Sequence, residues 1–211
     1  MLPRQISVSR LLAVLGLVAL GGCNVVPPVQ SDTTRNFLLS VPAVVEKEAP
    51  ATTGTLLLGL KPVGVAPYLR KGSLVVRVGD NEVLFPNDAR WAEPLEQEIT
   101  VLLRKGLQAA PSVARVLVPP FPFEAARDFD VSVQVLQCEG VREGGKTVAR
   151  LVASLEIFTP GDNPQLLARK TIAVPDAAWD GKDFARLAAL LGEAVGVLGR
   201  EIAAALPEKK G

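Results

Sequence analysis

The 211-residue sequence contains no histidine and only two cysteines, Cys23 and Cys138. Without an imidazole there is no Ser-His-Asp or Cys-His nucleophilic mechanism, no histidine general base, and no histidine ligand for zinc or iron. Two thiols permit at most one disulfide and no cysteine-rich metal centre. Charge of neither sign is in excess: 23 Lys and Arg stand against 22 Asp and Glu. Nothing in that balance resembles a nucleic-acid binder, which normally needs a strongly basic face to neutralise phosphates. Aromatic residues make up only 5%. What is left, 48% hydrophobic and 21% charged, is an ordinary globular composition, and the length suits one domain.

One long apolar run exists, and it reads as an address. Arg4 and Arg10 precede residues 11–20 (LLAVLGLVAL), followed by small residues, the pattern of an export signal over residues 1–22. A helix of about 12 residues reaches roughly 18 Å, short of the roughly 30 Å hydrocarbon core, so a cleaved signal fits better than a permanent span. Leu20-Gly21-Gly22-Cys23 resembles the lipobox of bacterial lipoproteins. Cleavage would fall between Gly22 and Cys23, and Cys23 would receive diacylglycerol; the alternative is an ordinary signal with an incidental cysteine. Asn24, where aspartate would retain a lipoprotein at the inner membrane, points to the outer membrane. Residues 23–34 then form a lipidated N-terminus and a Pro-, Ser- and Thr-containing tether. Loss of the leader removes two arginines and no acids, turning a formal charge of +1 into −1.

The remaining residues, 35–207, read as one α+β domain with a mainly antiparallel sheet and two amphipathic helices. Apolar runs at 36–41 and 54–60 predict two strands separated by a polar loop over 46–53. Residues 74–78 and 82–85 flank Gly79-Asp80-Asn81, a hairpin turn. Pro94 at the first helical position, then Leu95, Ile99, Leu102 and Leu107, predict a helix over 94–108. A strand over 112–118 leads into Pro119-Pro120-Phe121-Pro122, which cannot be helical. Strict alternation over 129–135 and 148–158, with a loop at 140–146, and a third run over 166–174 predict an antiparallel meander. Phe184, Leu187, Leu191, Val195, Leu198 and Ile202 mark a helix over 182–206, with Asp180 and Asp183 at capping-box spacing. Its apolar stripe is core, unless the interspersed glycines and alanines mark a helix–helix contact.

Chemistry-bearing patterns are sparse. Residues 140–145 (GVREGG) lie between strands and lack the spacing of a phosphate loop. Glu93, Glu96 and Glu98 stand where a helix start attracts acids. Cys138 has no histidine to activate it and no Ser-x-x-Lys motif occurs, so no enzyme activity, cofactor or metal is expected. The segment 61–95 stands out, carrying Tyr68, Arg70, Arg77, Arg90 and Trp91. Tyr, Trp and Arg are interface hot-spot residues when exposed; the alternative is a buried Trp91 beside solvated arginines.

That segment also carries a family resemblance. Arg90-Trp91-Ala92-Glu93-Pro94-Leu95, the stretch 63–69 (VGVAPYL), Phe37-Leu38-Leu39, the strand 131–140 and a C-terminal helix with Arg200-Glu201-Ile202 resemble the ABC-type transport auxiliary lipoproteins, the PqiC/YmbA-like family. Phe37 stands where the family usually has tyrosine. The resemblance implies an accessory lipoprotein at the outer membrane that faces the periplasm and docks an MCE-domain protein of a lipid transport system. Catalysis has no part in that role. It implies a partner surface at Tyr68, Arg90 and Trp91, and the ring shape of MCE proteins makes a homo-oligomer conceivable by analogy. An acyl-chain carrier and an assembly lipoprotein of another system are the competing readings.

Overall fold

The computed structural model describes residues 33–40, 54–121 and 126–209. The predicted leader, Cys23, nearly all of the tether and the loop over 46–53 lie outside the described residues. The described residues from Thr34 onward make one compact unit.

The sheet is organised around its most regularly alternating segments. β8 (Phe129–Glu143) and β9 (Lys146–Phe158) pair antiparallel from Asp130↔Phe158 to Glu143↔Lys146. Their connection is Gly144-Gly145, both at positive φ (57° and 75°), a conformation two consecutive glycines supply without a Cβ penalty. The loop expected over 140–146 is therefore only this turn. β10 (Leu166–Ala173) pairs antiparallel with β9 and completes the expected meander, and β11 (Ala177–Ala178) adds a short antiparallel pair.

The rest of the sheet is mixed, not mainly antiparallel as the sequence led us to expect. β2 (Leu56–Leu60) lies between β7 (Val113–Leu117) and β8 and runs parallel to both. β3 (Gly64–Val65) and β4 (Val76–Val78) are also parallel to β8. β4 turns through residues 79–81 into β5 (Glu82–Leu84) as the predicted hairpin. The reason for the correction is the connection: a chain that crosses over through a helix, as between β2 and β7, returns in its original direction. Alternation specifies which face a strand buries but not the direction of its partner.

A separate two-stranded sheet joins β1 (Arg35–Phe37) in parallel to β6 (Ala89–Trp91). The strand expected over 36–41 is thus shorter and pairs with β6, far from β2 in the sequence.

Two helices complete the core. α1 (Leu95–Gln108) buries Leu95, Ile99, Leu103 and Leu107, so Leu103 and not Leu102 carries the third position of the stripe. α2 (Phe184–Ala204) buries Leu187, Leu191, Val195, Leu198 and Ile202, which makes its stripe a core face. It packs on β8, β9 and α1, and meets α1 where Gly199 approaches Gly106. Asp183 is the N-cap of α2, accepting from the backbone N–H of Ala185 and Arg186. Asp180 accepts from the N–H of Lys182 and Asp183, a turn before the helix and not the capping box expected. Those bonds favour the ionised carboxylate and hold the Asp180 pKa below its usual value.

Candidate partner surface in the segment 61–95

Between β3 and β4 the chain makes a 3-10 turn, Pro67–Lys71, opened by proline and closed by Gly72 at φ 73°. Tyr68 projects from this turn onto β8. Its hydroxyl donates to the carbonyl of Leu136, 3.1 Å away, where β8 changes register between Val135 and Gln137. Leu136, at that irregularity, remains 40% exposed. β4 brings Arg77 alongside: its Nε lies 2.6 Å from Oε1 of Glu139, and its Nη2 lies 3.4 Å from the Tyr68 hydroxyl. The guanidinium also stands 5.7 Å from the centre of the Tyr68 ring.

Glu139 is fully buried, and its Oε2 accepts no hydrogen bond among the described residues. The cluster is therefore a desolvated ion pair capped by a phenol. Burial, and then the neighbouring Glu139 carboxylate, push the Tyr68 pKa well above its ordinary value, keeping the phenol protonated. The hydrogen bond to Glu139 raises Arg77, keeping it charged. This arrangement pins the 3-10 turn and the β4–β5 hairpin onto β8, leaving Leu136 and the edge of Tyr68 at the surface.

The other two residues singled out in the sequence lie elsewhere. Arg90 is exposed on β6, in register with Asn36 of β1, and its Nη2 is 3.4 Å from the carbonyl of Lys71. Trp91 turns the other way and is 7% exposed, packed in the core and in register with Phe37. Tyr68, Arg90 and Trp91 thus share a segment without sharing a surface. Arg77, read as solvated, is held by Glu139.

A second buried carboxylate is tied to the N-terminal segment. Glu98 of α1 accepts from the N–H of Leu39 at 3.1 Å, and desolvation raises its pKa in spite of that bond. The backbone of Ser40 lies against Gly192 of α2, where a Cβ would stand 2.9 Å from the Ser40 carbonyl carbon and closer still to its oxygen. With Arg35 N–H on Asp88 O and Ala92 N–H on Phe37 O, residues 35–40 form a strap that runs from β6 past the first turn of α1 to the middle of α2.

Sequence reading missed Glu139 and passed over Glu98 as a helix-start acid. A usable clue existed for the first: Arg77 interrupts the apolar run 74–78, and an arginine in a half-buried strand calls for a carboxylate. Cys138 is a buried free thiol whose pKa burial pushes up to about 12, so it is not a nucleophile at neutral pH. Among the described residues no three His, Cys, Asp or Glu side chains are grouped to hold a metal ion, and no helix is long and apolar enough to cross a membrane.

Comparison with known proteins places this geometry. No curated protein matches the chain. The fold is similar to the crystal structure of protein XCC0632 from Xanthomonas campestris, a DUF330 protein, with 16% identity and a TM-score of 0.66. That match covers 81% of this chain and 93% of the other. A crystal structure of an uncharacterized protein matches with 18% identity and a TM-score of 0.62, covering 81% of this chain and 97% of that one. At these identities the likeness concerns the fold. The model of the family described as ABC-type transport auxiliary lipoprotein component matches residues 37–203, from the last residue of β1 to the last turn of α2. The chain belongs to the ABC-type transport auxiliary lipoprotein family.

Proposed function

We propose that this protein is an accessory subunit of an MCE-type lipid transport system, anchored to the outer membrane through lipid on Cys23 and facing the periplasm. The observation that carries the reading is the family match over residues 37–203, which takes in both helices and the whole sheet. The work of such a subunit is binding and positioning. The outward part of the Tyr68 cluster, with exposed Leu136 beside it, supplies a rigid aromatic and aliphatic contact of the kind partners use as an anchor. Trp91 acts from inside, by fixing β6 against the core. The acyl-carrier alternative finds less support. The space between sheet and helices is filled by side chains such as Leu58, Ile99, Leu155 and Leu191, and two depressions among the described residues, of about 370 and 380 Å³, open on the surface.

Affinity purification of the tagged protein from detergent-solubilised envelopes tests the role. An MCE-domain protein is expected to co-purify with the wild type and with Cys23→Ser, and to be depleted by Tyr68→Ala. Cys23→Ser is expected to leave the outer-membrane fraction. Recovery of no MCE protein from wild-type envelopes, or an unmodified Cys23 in the mature wild type, would overturn the corresponding half.

A further inference from the structure

Close to where the tether enters the domain stands a group of cations without a carboxylate partner among the described residues. β1 begins at Arg35, whose N–H is held by the carbonyl of Asp88. Arg90 stands beside β1 on the exposed side of β6, and reaches back to the carbonyl of Lys71, which follows Arg70 at the end of the 3-10 turn. Arg70, Lys71 and Arg90 are all exposed and none has a carboxylate partner among the described residues, whereas the Arg35 guanidinium lies 5.0 Å from the centre of the Phe37 ring, on the face of β1 opposite Arg90. Lys71 is stacked on Phe85 with Nζ 4.2 Å from the ring centre, which holds its ammonium at the surface. Asp88 and Glu93 are the acids nearest in sequence to Arg90, and neither forms an ion pair with it. Leu38, three residues along the strap from Arg35, is 54% exposed.

We propose that this cluster is the face the domain presents to its own membrane, and that it docks on the phosphates of anionic lipid headgroups. The inference rests on Cys23 being lipidated. The chain length then decides the partner: residues 24–34 span at most about 35 to 40 Å when stretched and roughly 18 Å as a flexible coil. A patch at the root of so short a tether meets the headgroup layer of that membrane before any other surface. Each basic residue near an anionic surface contributes about 1 kcal/mol, a factor of about five. Three of them would bind a free domain only weakly, but tethering makes the encounter intramolecular, at an effective concentration in the millimolar range. Acting together, anchor and patch fix which way the domain faces, where the anchor alone would leave it free to swivel.

The test uses the mature lipidated protein reconstituted into phosphatidylcholine vesicles with and without phosphatidylglycerol, carrying a headgroup-attached fluorescence quencher. A fluorophore is placed on Asn87→Cys, beside the patch, or on Asp162→Cys, in the turn near the opposite end of β8, roughly 30 Å away at about 3.3 Å per residue. Buried Cys138 stays unlabelled. With phosphatidylglycerol at low salt, quenching is expected at position 87 and not at 162. Raising the salt should relieve it, and Arg70→Gln/Lys71→Gln/Arg90→Gln should weaken docking about a hundredfold, at fivefold per charge. Protein that floats with the vesicles but shows equal quenching at both positions, or quenching indifferent to phosphatidylglycerol and to the triple substitution, overturns the patch alone. Protein that fails to float overturns the lipid anchor and the proposal with it.

Discussion

Replacing Arg77 by methionine should be far more damaging than its position near the surface suggests. The substitution keeps a side chain of similar reach and removes only the guanidinium that lies 2.6 Å from Glu139. Glu139 has no exposure and already carries one oxygen without a partner, so the carboxylate would be left charged in a desolvated site. Breaking a buried pair from one side costs about 3 to 5 kcal/mol. Arg77 retains 19% side-chain exposure, which admits some solvent and argues for the lower end, about 3 kcal/mol. In a domain of this size that is a fall in Tm of roughly 6 to 12 °C. The reverse substitution, Glu139→Leu, should cost less, about 1 kcal/mol, because Arg77 can turn its charged end toward water. The double variant should recover to within about 1 kcal/mol of wild type, since an apolar pair of similar volume needs no desolvated charge. Urea unfolding of the mature Cys23→Ser chain, followed by circular dichroism, measures all four corners of the cycle at once. Equal losses for the two single variants, or losses that simply add in the double, would refute the picture of a desolvated carboxylate held by one arginine.

Gly196→Ala should raise stability by about 0.8 to 1.0 kcal/mol, because alanine is the better helix former and only the tip of Arg200 lies within 4 Å. Gly192→Ala has the same intrinsic gain but meets the backbone of Ser40, so it should lower stability and speed amide exchange at residues 37–40. Glu98 has a raised pKa, so the folded state binds its proton more tightly than the unfolded one, and this group's contribution to stability declines as pH rises through the folded value. Glu98→Gln keeps an oxygen for the Leu39 N–H, and it should flatten that decline and stabilise the protein at neutral pH; an unchanged pH profile of unfolding would count against it. Native Cys138 should resist iodoacetamide and become reactive only when urea unfolds the domain.

The meander was legible because Val131, Val133 and Val135 on one strand and Leu151, Ala153 and Leu155 on the next declare a period of two, and a turn of two glycines joins them. The helix α2 was legible for the same reason at period 3.6. What the pattern withheld was pairing. Nothing in the run 54–60 says that it will lie between strands that begin at Val113 and Phe129, because direction is decided by the crossover and not by the strand. The candidate surface suffered from a second effect. At the irregularity next to Leu136 strict alternation breaks, so Glu139 could not be assigned a face by counting from Val131. Arg90 and Trp91 are neighbours in sequence, and for that reason alone a β-strand sends them to opposite sides.

The place of β2 between β7 and β8 also sets a timetable. Leu58 takes its two flanking partners from residues 116 and 129, so the middle of the sheet stays open until well over half of the chain is available. The β8–β9 hairpin needs only its own two-residue turn, and contacts so local close fastest. Assembly should therefore begin in the later half and draw the earlier strands in against it. Pulse-labelled hydrogen exchange during refolding should protect Val133 and Leu155 before Leu58, and simultaneous protection would contradict this order. Until then an apolar LLLGL strand has both edges bare, which makes the first half of the chain the part most in need of shelter on its way to the folded state.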